Sequence, residues 1–306
     1  MAAATPRVRK KPKINWTPYL FLIVPLLVYL VWIIGPMLYT FYLSLTSWDG
    51  ISPELKFIGI KNFDTLFDSL KKALPSAFEY SLINNLKWLV AFITVPTVIG
   101  LGLAILLNQG IKGDRFFKVG IYLPQVLSFV VIALIWSWIY NPRYGLINSF
   151  LFKIGVEDPP GWLADKSLAT WSIIAAAVWR QVGYVMILYL AGLKNIDPSL
   201  IDASMVDGAN SWQRFRNVVF PLLAPVTTIV VVISIIDSLR TFDLVQIMTR
   251  GGPANSSSVL ANLMYIQAFN NYKFGLGAAT AVVLFFISLF FIVIYLWRVM
   301  QDELEY

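Results

Sequence analysis

Long uncharged runs alternate with short polar stretches along the whole chain. Residues Ile14 to Trp48 carry no charge, which is more than the about 20 apolar residues an α-helix needs to cross a bilayer. A secretory leader has an apolar core of only about 7–15 residues, so this run predicts a first membrane-spanning helix, bent at Pro25, Gly35 and Pro36. Further spans are predicted at about 80–108, 119–140, 168–193, 218–243 and 274–297. Trp136, Trp138 and Tyr140 close the third, where aromatic rings suit the edge of a bilayer. The pattern therefore predicts an all-α integral membrane protein with six transmembrane helices.

The polar stretch 194–217 is punctuated more closely than a slack linker. Asp197 before Pro198 is a helix start, since the carboxylate accepts from free first-turn amides and proline at the first position loses no hydrogen bond. Asp207-Gly208 is a stop, because glycine takes a positive φ without a Cβ clash. Asn210 with Gln213 reads as a capping box for a second helix, and Pro221 marks re-entry into the membrane. An ordinary loop with two helical turns fits the same local chemistry equally well.

Composition narrows the function. The 306 residues are 58% hydrophobic and 13% charged, against about 25% charged in soluble domains, and mean hydropathy is +0.69. There is no cysteine and no histidine, which removes disulfides, thiolate nucleophiles, Cys/His zinc sites and imidazole triads. No Gly-x-x-x-x-Gly-Lys-Ser/Thr string is present, so any ATP that drives this protein is hydrolysed on another subunit. The net charge of +7 follows membrane orientation and forms no nucleic-acid stripe. Arg7, Arg9, Lys10, Lys11 and Lys13 mark residues 1–15 as a cytoplasmic tail, and 301–306 is a short acidic one. With both termini inside, the inner segments hold twelve Lys and Arg and the longer outer segments nine, the sense of the positive-inside rule. No internal duplication is visible.

Five charged residues fall in or near spans: Lys87, Arg180, Asp237, Arg240 and Asp243. Each costs roughly 2.5–3.5 kcal/mol in hydrocarbon, so such groups face a wet interior or a partner. Spacings of three predict that Asp237, Arg240 and Asp243 neutralise one another on one helix face, either as a structural cluster or as part of a solute route. Arg180 with Trp179 and Tyr184 could hold a sugar, whose apolar faces stack on rings while hydroxyls need donors and acceptors. Aromatic packing is the plainer account. Asn84 and Asn85 are solute contacts or interhelical hydrogen bonds.

The string Asp202-Ala203-Ser204, Asp207-Gly208-Ala209, Phe215, Pro221, Pro225 resembles the cytoplasmic coupling loop of permease subunits in binding-protein-dependent ABC importers. That loop conventionally reads Glu-Ala-Ala, two residues, Asp-Gly-Ala, then a spaced Phe and Pro; here Asp202 stands for the glutamate and Ser204 for the second alanine. The resemblance spans nearly the whole chain. Phe57 to Phe63, Tyr122-Leu123-Pro124, Trp136 through Tyr144-Gly145-Leu146-Ile147-Asn148, Leu190-Ala191-Gly192-Leu193, Phe242-Asp243-Leu244 and Gly251-Gly252-Pro253 are similar to carbohydrate permeases. The last two of these, with Thr249, Tyr265, Ala268-Phe269 and Phe274-Gly275, resemble the half related to the larger maltose-permease subunit and the glycerol-3-phosphate and multiple-sugar permeases. The resemblance implies a permease domain over 16–300 with a coupling helix between spans four and five. It implies no catalytic role and no cofactor on this chain, ATP and magnesium being held by two cytoplasmic ATPase subunits. The other partners implied are a second permease subunit, an extracytoplasmic solute-binding protein that docks near Gly251-Gly252-Pro253, and a sugar-like solute. A stand-alone proton-coupled sugar carrier is the competing expectation, with Asp237 as its proton-cycling carboxylate.

Overall fold

The computed structural model describes residues 17–71 and 75–304; the basic tail 1–15 and Glu305-Tyr306 lie outside the described residues. Among those described, the regular structure is helical apart from one antiparallel bridge between Thr46 and Phe57. Helices α1 (Thr17–Tyr29) and α2 (Gly35–Ser44) are joined by a π-helical turn, Leu30–Ile34. Pro36 has no N–H to offer the carbonyl four residues back, and the Gly35 N–H reaches the Leu30 carbonyl instead. Helix α3 (Lys61–Asp68) is tied to the end of α2 by Asn62, whose amide donates to the Ser44 and Thr46 carbonyls at 2.9 and 2.7 Å.

Helix α4 (Ala77–Asn108) begins at Ser76, whose hydroxyl accepts the Glu79 N–H. The expected third span is two helices, α5 (Asp114–Val126) and α6 (Phe129–Ile139), bent by 103°. Pro124 leaves the last turn of α5 one donor short, and the Ser128 hydroxyl caps α6 by accepting the Val131 N–H at 3.4 Å. Of the three aromatics expected at an interface, Trp138 is exposed, while Tyr140 is buried and donates to the Ser172 carbonyl at 3.0 Å.

After α7 (Leu146–Lys153), helix α8 (Ala169–Lys194) packs along α4. Small residues let the backbones approach: a Cβ on Gly100 of α4 would lie 2.7 Å from Val185 Cγ1, and one on Gly192 of α8 would lie 2.7 Å from Val226 Cγ2. Two short helices, α9 (Pro198–Val206) and α10 (Ser211–Arg214), form a hairpin. The expected fifth span is also interrupted. A π-helical turn (Phe215–Val219) and α11 (Phe220–Leu222) stop at Leu223, and α12 (Ala224–Leu239) departs between Pro221 and Pro225. The segments Ser211–Leu222 and Ala224–Met248 meet at 68°. Helices α13 (Asp243–Met248) and α14 (Leu260–Tyr265) precede α15 (Phe274–Leu304), so the acidic tail continues the last helix as far as Leu304.

Among the described residues, four helices are long and apolar enough to cross a membrane, or up to six if each bent pair counts as one span. Two apolar clusters stack along the α4–α8 pair. One, around Trp88, Phe92 and Ile173, reaches α6 and α13; the other, around Leu101, Met186 and Tyr189, reaches Leu223 at the break and Val230 of α12 and takes in Ile196 and Phe215 beside the hairpin.

Candidate functional site

Three polar features stand out against this apolar bundle. The first is the hairpin at the Lys194 end of α8. The Asp197 carboxylate accepts the Ser199 N–H at 2.9 Å, and that bond, with a second from the Ser199 hydroxyl, holds the carboxyl below the usual range. Helix α9 closes with Ala209 N–H on the Ser204 carbonyl at 3.0 Å, Gly208 taking φ +79°. Asn210 and Gln213 exchange backbone N–H bonds at 2.9 Å, a complete capping box. Asp202, Ala203, Asp207 and Gly208 face outward, Ser204 is buried, and Ala209 and Phe215 are half-buried. Pro221 is exposed, so Phe215 and the buried Leu223 seat the hairpin. Val206 is 88% exposed and Trp212 65%. These are large apolar side chains presented on a firmly capped hairpin.

The second feature is a cavity of about 200 Å³ where broken helices meet. The start of α6 (Phe129), the end of α12 (Asp237, Arg240) and the start of α13 (Asp243, Leu244) converge on Arg180 and Gln181 of α8 and Trp88 of α4. Four of the five intramembrane charges therefore share one chamber, yet they do not pair. The ion pairs among the described residues are Lys71–Asp68 and Lys118–Asp114. The expected neutralisation along one helix face is corrected by the helix break: α12 ends at Leu239, and Thr241 and Phe242 are not helical. The Asp237 carboxylate instead accepts from Gln181 Nε2 at 3.5 Å. The Arg180 guanidinium lies 4.2 Å above the Phe129 ring, with its buried Nε unpartnered. Trp179, next to Arg180, faces away and lines a separate apolar cavity of about 610 Å³ with Trp171. Tyr184 is half-buried and lines neither.

The third feature lies in the stretch between α13 and α14. Residues 249–262 form a strap at the Ala169 end of α8, opposite the hairpin, buried at Gly251 and from Ser256 onward. Asn84 Nδ2 donates to the carbonyls of Ser256 and Ser258 at 2.7 and 2.9 Å. Its Oδ1 accepts from Thr170 Oγ1 and from Lys87 Nζ, each at 3.3 Å. Asn85 accepts the Leu260 N–H at 2.8 Å. Asn84 is thus engaged by the strap, Thr170 and Lys87 together and stands outside the cavity wall. Gly251 is buried with φ +84°, and a Cβ there would lie 2.5 Å from Asn262 Oδ1; Gly252 and Pro253 are half-buried.

Residues 96–303 match the family model described as binding-protein-dependent transport system inner membrane component. The chain belongs to this family. A probable ABC transporter permease protein of Pyrococcus horikoshii is 34% identical over 97% of this chain and 99% of its own length. The probable starch degradation products transport system permease protein AmyD of Thermoanaerobacterium thermosulfurigenes is 34% identical over 94% and 95%. A chain in the crystal structure of a bacterial ABC transporter that imports the acidic polysaccharide alginate shares the fold, with a TM-score of 0.79 at 21% identity over 94% of this chain and 96% of that one. Membership places the chain among components of binding-protein-dependent systems, and the proton-coupled carrier gains no support. Sequence reasoning missed Trp88, Phe129, Gln181 and Thr241 in the cavity, and Ser81, Thr170, Ser256 and Ser258 at the strap. The polar face Ser81–Asn84–Asn85 on an otherwise apolar α4 was the available signal.

Proposed function

We propose that this chain is one permease half of an ATP-driven importer of an uncharged or weakly charged sugar, working in the cell membrane with both termini in the cytoplasm. It crosses the membrane six times, each bent pair being one span. A second permease subunit completes the route, two cytoplasmic ATPases hold ATP and magnesium, and an extracytoplasmic binding protein delivers the solute near Gly251-Gly252-Pro253. The observation that carries the reading is the hairpin in a chain of this family: a short helix capped at both ends, with Val206 and Trp212 turned outward.

In this reading α9 is the coupling helix. Because its caps make it rigid and Phe215 ties it to the α4–α8 core, motion of the ATPases is passed to the spans as a shift between two states. Arg180, Asp237, Arg240 and Asp243 form the polar part of the solute route. The unpartnered Arg180 Nε and the carboxylate oxygens of the chamber suit hydroxyls, and two cations facing two carboxylates leave the chamber near neutrality. Kinship to a permease named for starch degradation products supports a carbohydrate.

The test is reconstitution. Sugar uptake into vesicles is expected only with the partner permease, the ATPases, the binding protein and ATP together. Uptake by this polypeptide alone, at full rate and without nucleotide, would contradict the proposal.

A further inference from the structure

Arg180 shares the chamber with two carboxylates, Asp237 and Asp243, and pairs with neither. The ion pairs among the described residues lie elsewhere, at Lys71–Asp68 and Lys118–Asp114. Opposite charges in a cavity walled partly by apolar side chains attract far more strongly than in water, so their separation needs other partners. The structure gives each a neutral one. The Arg180 guanidinium carbon lies 4.2 Å from the centroid of the Phe129 ring, and Asp237 accepts from the buried Gln181 at 3.5 Å.

Phe129 is put there by the break in the third span. Gly183, three residues after Arg180, seats α5 directly on α8: a Cβ on it would lie 2.2 Å from the Ile121 carbonyl oxygen and 2.8 Å from Tyr122 Cα. Helix α5 ends at Val126, Leu127 is extended, and α6 departs at 103°. Its first residue is Phe129, and the turn brings that ring over Arg180.

A ring differs from a carboxylate in what it leaves free. A carboxylate fork takes two of the five guanidinium N–H donors. A ring face attracts the cation through its quadrupole and has no lone pair to claim them. Arg180 Nε stays buried and unpartnered, and so does Nε1 of Trp88 on the same wall. Two donors thus lack an acceptor beside a cavity of about 200 Å³, a cost that the hydroxyl or ring oxygens of a sugar relieve.

We propose that Phe129 is the positioning residue of the chamber: it holds Arg180 off Asp237, so that the guanidinium meets the solute with its donors free. The inference rests on the chamber being part of the solute route. Phe129 acts through Arg180 and need not touch solute.

Replacing Phe129 by trifluoro- and then pentafluorophenylalanine drains the negative face of the ring with little change of shape. For the complete importer in detergent, the unfolding temperature is expected to fall stepwise along this series. It should stay level along the series once Arg180→Met has removed the cation. A level series with Arg180 in place overturns the proposal, and this measurement needs no solute. For uptake into proteoliposomes with the binding protein and ATP, maltotriose is the probe. Phe129→Leu should raise KM about tenfold and leave the maximal rate within about twofold, while Phe129→Tyr, which keeps the ring face, should hold KM near its original value. With Asp237→Asn already in place no carboxylate at 237 can capture Arg180, and the same leucine change should then raise KM less than about twofold. An equal rise on both backgrounds makes Phe129 plain packing and overturns the proposal while leaving the chamber in the solute route. Arg180→Met with KM unchanged takes the chamber out of that route, and the proposal falls with it.

Discussion

Two polar stretches interrupt the apolar runs near the two ends of α8, and they are built in opposite ways. In the hairpin, each end is fixed by a neighbour: Asp197 by Ser199, Gly208 and Ala209 by Met205 and Ser204, Asn210 by Gln213. The strap is fixed from afar, since Asn84 lies 172 and 174 residues from the carbonyls it holds. The hairpin keeps its shape while its outer face stays free for a partner. The strap has local bonds as well, Ser256 N–H on the Pro253 carbonyl at 3.0 Å and Ser257 N–H on the Gly251 carbonyl at 3.2 Å, but its seat on the bundle depends on Asn84. A lever needs the first kind of construction.

The comparison is broken most severely at Gly208. Its φ of +79° costs a β-branched residue about 1–2 kcal/mol or more, and a misdirected lever transmits nothing. Gly208→Val is expected to insert normally and to lose about a hundredfold of ATP-dependent uptake, equivalent to about 2.7 kcal/mol. Normal uptake in this variant would remove the lever from the account.

Asn84→Leu should damage the strap and spare the hairpin. It leaves the Ser258 carbonyl without the amide that now donates to it, a cost of about 1–3 kcal/mol, visible as a lower unfolding temperature in detergent. Hydrogen exchange should rise across 249–262 and stay unchanged across 197–214. Exchange rising in both segments would mean that the two are not independent.

The chamber between them gives a smaller effect. Asp237→Asn keeps the Gln181 contact in shape but leaves Arg180 and Arg240 facing Asp243 alone. Uptake is expected to fall about tenfold, near 1.4 kcal/mol in the barrier, with ATP hydrolysis retained. Unaltered uptake would make the cluster structural.

The smallest effect is in pH. The Asp197 carboxyl is held below its ordinary range by Ser199, so its capping contribution is present above the unfolded carboxylate pKa of about 3.9 and is lost as pH falls through the lower folded value. Amide protection in the first turn of α9 should therefore weaken below about pH 4, and the weakening should vanish in Asp197→Asn.

The same contrast explains what was legible in the sequence. Asp197-Pro198, Asp207-Gly208 and Asn210 with Gln213 are chemistry within four residues, and the hairpin has the form they predict. The long helices were legible because hydrocarbon tolerates little else. The two breaks were less so. Pro124 with Ser128, and Pro221 with Pro225, were in view, but an apolar run carries no measure of the angle between its halves. The strap was missed because Ser256-Ser257-Ser258 looks like any exposed loop until Asn84 and Thr170 are brought to it. The chamber was half seen: its charges stood out, while Gln181 and Phe129 became members only through the fold.

The account turns on the hairpin being what the ATPase grips, and Val206 tests this most directly. A photoreactive or disulfide cross-linker placed at Val206→Cys in the assembled importer should join this subunit to an ATPase subunit in high yield, and one at exposed Asn271→Cys should not. An importer that assembles and takes up sugar with ATP, yet gives no ATPase cross-link from position 206, would contradict it.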